Sequence, residues 1–130
     1  MKKFGLAVLA VFVSWEVIDI ILHGVILKGA YEATASLWRP MEEMKNVLMI
    51  IVVLLAAIAF VWIYFSMIGN RSINTGVKYG LIFGFGAGVS MGYGTYSVMA
   101  IPYFMAFAWF LGTLIEGAVG GLLLGLIIKE

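Results

Sequence analysis

From Tyr79 to Ile115 the sequence carries no charged side chain. A bilayer crossing needs roughly 20 mostly apolar residues, so this run is too long for one crossing and has to be divided. TYSVMAIP, at 95–102, is the natural break. Pro102 suits the first turn of a helix, where its missing N–H costs nothing. The division gives a third span of about 77–97 and a fourth of about 102–128. By the same criterion the first span covers about 4–27 and the second about 42–68, with no charge at all between Asn46 and Ile68.

Composition points the same way. The chain is 64% hydrophobic and 12% charged, roughly half the charge of an ordinary soluble domain, with a mean hydropathy of +1.11. A soluble chain of 130 residues could not hide so much apolar surface. The expected fold is therefore all-α: a single domain over 1–130, built as a four-transmembrane-helix bundle in a lipid bilayer. A net charge of +1 gives no reason to expect nucleic acid as a partner. The absence of cysteine excludes disulfides, thiolate metal sites and cysteine nucleophiles. Met1-Lys2-Lys3 before FGLAVLAVFV resembles a secretory signal, but no small-x-small site closes the apolar run, so it is read as a retained span.

Basic residues set the expected orientation. With the N-terminus inside, the inner side holds Lys2, Lys3, Arg71, Lys78 and Lys129, and the outer side Lys28, Arg39 and Lys45. The excess favours cytoplasmic N and C termini. The first outer connection, KGAYEATASLWRPMEEMKN, is the most polar segment. Pro40 with Glu42 and Glu43 reads as a helix start, acids at the positive end of the dipole. Tyr31 and Trp38 read as headgroup-belt aromatics. The connection is either an interfacial cap or a surface that meets a partner or covers a pore. The inner GNRSINTG reads as a plain turn.

Three ionisable residues interrupt the first span. Glu16 lies about midway between Lys3 and Lys28, close to the bilayer centre at 1.5 Å rise per residue. Asp19 and His23 follow at i+3 and i+7, so all three share one helix face. In the fourth span Glu116 lies midway between Pro102 and Lys129, with Trp109, Thr113 and Gly120 on its face. An acid at the centre of a span costs about 2.5–3.5 kcal/mol on insertion scales, so these groups are expected to face the bundle interior or a wet cavity. A buried pair of acids is a place where a proton is held or traded for a cation.

Glu16, Asp19, His23 and Glu116 are therefore the candidate proton, cation or ligand site. Polar side chains also serve as interhelical glue, and that structural reading stands beside the functional one. No cofactor is expected. A metal ion held by the same four residues is an alternative occupant, although the paired Glu-x-x-His pattern of di-iron bundles is absent, and a lone His23 excludes bis-histidine haem. Nothing marks a reacting substrate, so an enzyme is the less favoured class.

The later spans are rich in glycine. Gly80, Gly84, Gly88 and Gly92 recur every fourth residue, and Gly117, Gly121 and Gly125 repeat the device. Such ridges let backbones approach closely in lipid, either between spans three and four of one chain or across a homo-oligomer seam. Tyr93 and Tyr96 read as interface aromatics or as donors lining the outer mouth of a cavity. The methionines read as gap fillers rather than copper ligands.

LHGVILKGAYEATASLWRP, the featureless second span, the glycine-rich later spans and Glu116 near the end together resemble small four-span bacterial inner-membrane proteins of unknown function. The resemblance implies a bacterial inner membrane and carries no activity. Three functional classes are expected from the residues: proton- or cation-coupled transport or conduction at the carboxylate/His site, an accessory or assembly subunit of a larger membrane complex, and a membrane metal-binding protein.

Overall fold

A computed structural model describes residues 1–129, and all of their regular secondary structure is helical. Helix α1 (Lys2–Ile21) runs directly into a π-helical turn, Leu22–Ile26. A short α2 (Lys28–Ala33) and two 3₁₀ turns, Ala35–Leu37 and Met41–Glu43, make up the first connection. Helix α3 is Asn46–Met67. Helix α4 (Ile73–Gly88) continues through a second π-helical segment, Val89–Gly94, into α5 (Thr95–Val98). Helix α6 is Tyr103–Ile127, with Pro102 at its N-cap. Three helices are long and apolar enough to cross a membrane: Lys2–Ile26, Asn46–Met67 and Tyr103–Ile127.

The helix start expected near Pro40 lies further on. Pro40 opens only the 3₁₀ turn, Met44 and Lys45 leave helical geometry, and α3 begins at Asn46. Residues 41–45 are wholly exposed. One extra helical turn with nothing to pack against is not stable on propensity alone. The turn between α3 and α4 is better built than its sequence advertises. Asn70 adopts φ 48°, a left-handed conformation that asparagine tolerates. The Arg71 guanidinium donates to the Phe65 carbonyl at 2.8 Å, satisfying an end of α3. The Ser72 hydroxyl accepts from the Thr75 N–H at 3.1 Å and caps α4.

Two apolar clusters mark the two ends of the molecule. At the end that holds both chain termini, Ala7, Val11 and Trp15 of α1 meet Ala57, Phe60 and Tyr64 of α3 and Leu124 of α6. The Tyr79 hydroxyl donates to the Phe60 carbonyl at 2.6 Å, and their rings stack at 4.8 Å. At the other end Leu22, Leu27, Met105 and Trp109 pack with Tyr31 and Trp38 of the first connection. The first part of α3, Asn46–Val52, leans clear of both and is exposed throughout.

Helices α4 and α6 are antiparallel and meet backbone to backbone. Gly76 and Gly80 lie on Gly121 and Gly117; Gly84 and Gly88 continue the seam to Thr113 and Phe110. A Cβ added at Gly84 would stand 2.9 Å from the Thr113 carbonyl oxygen, and one at Gly88 2.8 Å from that of Phe110. The glycine ridges thus face each other within one chain.

Candidate functional site

The site is assembled where α1 crosses α6. On α6, Gly112 and Gly120 lie one turn to either side of Glu116. A Cβ at Gly112 would collide with the Leu22 side chain, and one at Gly120 would stand 3.1 Å from Trp15 Nε1 and 3.0 Å from the Phe60 ring. These two glycines let α1 sit close enough for Trp15 Nε1–H to donate to the Glu116 carbonyl at 2.8 Å. A buried indole N–H needs such a partner, and this one sets the depth of α1 against α6 at Glu116.

The Glu116 side chain then lies near those of Asp19 and Glu16. Asp19 also faces His23, whose Nε2 is 4.0 Å from Asp19 Oδ1. His23 sits in the π-helical turn, where the Leu27 N–H donates to the Leu22 carbonyl at 2.8 Å. Such wide turns are frequent at functional sites. The side chains of His23 and Asp19 keep 39% and 30% of their exposure, so the acid pair is open on one flank rather than sealed.

His23 Nδ1 is 2.6 Å from Tyr31 Oη, and Trp109 Nε1–H donates to the same hydroxyl at 2.8 Å. Tyr31 therefore comes off the first connection into the site. Its ring packs edge-on against Trp38 at 5.4 Å, and Trp38 in turn against Trp109 at 6.0 Å. Trp38 Nε1–H donates to Thr34 Oγ1 at 2.9 Å, which anchors this aromatic wall to α2. Burial is the main influence that pushes the Tyr31 hydroxyl up to about 12, with the Asp19 charge in the same direction and the Trp109 hydrogen bond opposing. Tyr31 thus keeps its proton at neutral pH and is a donor.

That shift has a measurable consequence for stability. Above the ordinary value of 10.0 the unfolded chain loses the Tyr31 proton while the folded chain retains it. Stability falls wherever the folded state binds more protons as pH rises, so the Tyr31 contribution is complete below pH 10 and drains away up to about pH 12. Alkaline unfolding followed by circular dichroism is expected to steepen in that window. The steepening should be weaker in Tyr31→Phe; identical pH profiles would contradict the burial of this hydroxyl.

Four supporting residues were expected around the acids, and one of them reaches the site. Trp109 does so through Tyr31, and its ring faces His23 at 6.5 Å. Thr113 points along the α4 seam, its hydroxyl 3.8 Å from Met91 Sδ. The Tyr93 hydroxyl pairs with that of Tyr103 at 2.9 Å, and Tyr96 packs edge-on against the Tyr103 ring at 5.8 Å. Tyr93 belongs to the π-helical segment and Tyr96 to α5, and both contacts are with Tyr103 of α6. Among the described residues no group of three or more His, Asp or Glu side chains is arranged to hold a metal ion. His23 meets Asp19, and Glu16, Asp19 and Glu116 lie near one another.

Two residues of the site escaped the sequence. Tyr31 looked like a headgroup aromatic, and its spacing of eight from His23 gives no clue that a π turn and α2 fold it back. Trp15 carried a usable signal: it lies four residues from Val11 and eight from Ala7 on the buried stripe, and a buried tryptophan has a donor to satisfy. No protein-family model matches the chain, and neither a curated protein nor a solved structure does.

Proposed function

We propose that this chain is a small four-span protein of the bacterial inner membrane whose carboxylate/His site carries protons or small cations. The observation that carries the reading is the meeting of Asp19 and Glu116 across α1 and α6, in helices otherwise suited to lipid. Acids in such surroundings cost about 2.5–3.5 kcal/mol each, and intramembrane ionisable groups mark ion or proton pathways by default. In this reading Ile73–Val98 is the remaining crossing, shielded by α6 through the glycine seam. Both termini and the 68–72 turn then lie on the cytoplasmic side with Lys2, Lys3, Arg71, Lys78 and Lys129, in accord with the excess of basic residues there.

Carboxyls and an imidazole side by side, His23 beside Asp19 and Asp19 near Glu116, favour a proton over a coordinated ion. The test is purified protein in liposomes loaded with a pH-sensitive dye, with an imposed potential. Protein-dependent acidification that is the same in choline, sodium and potassium media is expected. Flux that follows the metal cation instead would assign the site to that cation, and no flux above protein-free liposomes in any medium would overturn the transport reading. The exposed apolar stretch Val47–Val52 is the feature that favours the second reading, an accessory subunit of a larger membrane complex. Co-purification of a stoichiometric membrane partner that covers it would support that reading.

A further inference from the structure

The structure holds a series of neighbouring side chains from the first connection to the acid pair. Trp109 Nε1–H points at Tyr31 Oη at 2.8 Å, Tyr31 Oη lies 2.6 Å from His23 Nδ1, and His23 Nε2 lies 4.0 Å from Asp19 Oδ1. Asp19 and Glu116 complete it. An indole can only donate, so one lone pair of the Tyr31 oxygen is taken by Trp109. The Tyr31 proton is then directed to His23 Nδ1, which leaves the imidazole proton on Nε2, facing Asp19. The tautomer follows from the hydrogen-bond partners.

Resting on the proton reading above, we infer that Tyr31 and His23 form the route by which protons reach the Asp19–Glu116 pair, from the side of the membrane that α2 occupies. In the loading step a hydronium outside gives a proton to the free lone pair of Tyr31 Oη as the original Tyr31 proton passes to His23 Nδ1. The imidazolium so formed releases its Nε2 proton to an Asp19 carboxylate oxygen. One N–H bond breaks and one O–H bond forms; His23 ends neutral with its proton on Nδ1, donated to Tyr31 Oη, and the new Tyr31 O–H points outward. Unloading to the same side is the reverse sequence; after release to the opposite side the imidazole has to turn over and the Tyr31 hydroxyl to swing back before a second proton is taken up.

Because the tyrosine receives as it gives, it never becomes a phenolate, which its burial disfavours. The 4.0 Å gap between His23 and Asp19 is closed by a small rotation of either side chain, both being partly exposed. The charged or titratable groups that face His23 are Asp19 and, beyond it, Glu16 on its own helix, Tyr31 from α2, and Glu116 from α6 through Asp19. Trp109 touches no proton in transit. It is a positioning residue that holds Tyr31 in the donating orientation.

The experiment combines two readouts on the same liposome samples. Nitrogen-15 NMR of labelled His23, the chain's one histidine, is expected to report the Nε2–H tautomer in the wild type and a mixture in Tyr31→Phe. Proton uptake after an acid jump on the α2 side is expected to slow about 100-fold in Tyr31→Phe, the lower end of what a positioned acid–base group contributes, and as much in His23→Gln. Helicity by circular dichroism identifies any variant that has not folded, and Trp109→Phe serves as the second, milder lesion of the same clamp, with an intermediate tautomer shift. Full-rate uptake by folded Tyr31→Phe and His23→Gln, in a protein whose uptake Glu116→Gln abolishes, overturns the route and leaves the acid site standing. If the wild type moves no protons, the route falls together with the proposed function. A wild-type Nδ1–H tautomer at rest, before the acid jump, overturns the clamp whatever the flux.

Discussion

Gly80→Val is expected to prevent α4 and α6 from pairing. A Cβ at this position would run into the carbonyl of Gly117 and stand 2.9 Å from the Gly121 Cα. Both obstacles are backbone, so no rotamer change relieves them, unlike the side-chain overpacking that costs about 1–3 kcal/mol in soluble cores. The loss should reach about 4 kcal/mol or more, the range of exceptional single substitutions. Gly86→Val is the control, because a Cβ there meets nothing within 4 Å and should change stability by no more than about 0.5 kcal/mol. Unfolding in detergent, followed by helicity, measures both. Equal stability of the two variants would mean that the seam does not hold the helices together. Association in lipid rests on such close packing rather than on hydrophobicity.

Glu116→Gln is expected to abolish proton uptake while the fold survives. The amide has nearly the shape of the acid, and its NH₂ group can donate to the nearby Asp19. The Trp15 hydrogen bond goes to the Glu116 backbone carbonyl and is untouched. What disappears is the exchangeable proton. Removing an acid from lipid-like surroundings also removes an insertion cost of about 2.5–3.5 kcal/mol, so thermal stability should hold or rise. Dye-loaded liposomes read the first effect and thermal unfolding the second. Wild-type uptake by the variant would exclude Glu116 as a proton carrier. Lost uptake with lost stability would return the residue to a structural role, the interhelical glue that polar groups also provide.

The parts of this architecture that repeat were readable in the sequence, and the parts that depend on one bend were not. Glu16, Asp19 and His23 share a face because 3, 4 and 7 residues bring side chains round a helix, and that periodicity survives in the folded chain. Glu116 could be set at the same depth by counting from Pro102 and Lys129. The glycine ridges announced a close approach but not their partner, since a smooth face fits another chain as well as its own. Tyr31 was hidden for a physical reason. Its place depends on the π turn at Leu22–Ile26 and on the reversal of the chain through α2, neither of which has a periodic signature. Thr113 was assigned to the acids by helix spacing, yet a side chain between two neighbouring helices can turn to either, and the α4 seam took it. The missing helical turn at 41–45 reflects a comparable limit: acids near a proline favour a start, but only a packing neighbour makes it worth forming.

A joint made of glycine backbones has no side chains that can swap positions. Two helices that interlock in this way cannot slide or roll by a fraction of a turn without collision, so α4 and α6 behave as a single plank. Whatever breathing the molecule performs falls to α1 and to the unsupported upper half of α3. A cross-link between α4 and α6 should consequently leave activity intact, whereas one that ties α1 to α6 beside Glu116 should freeze it.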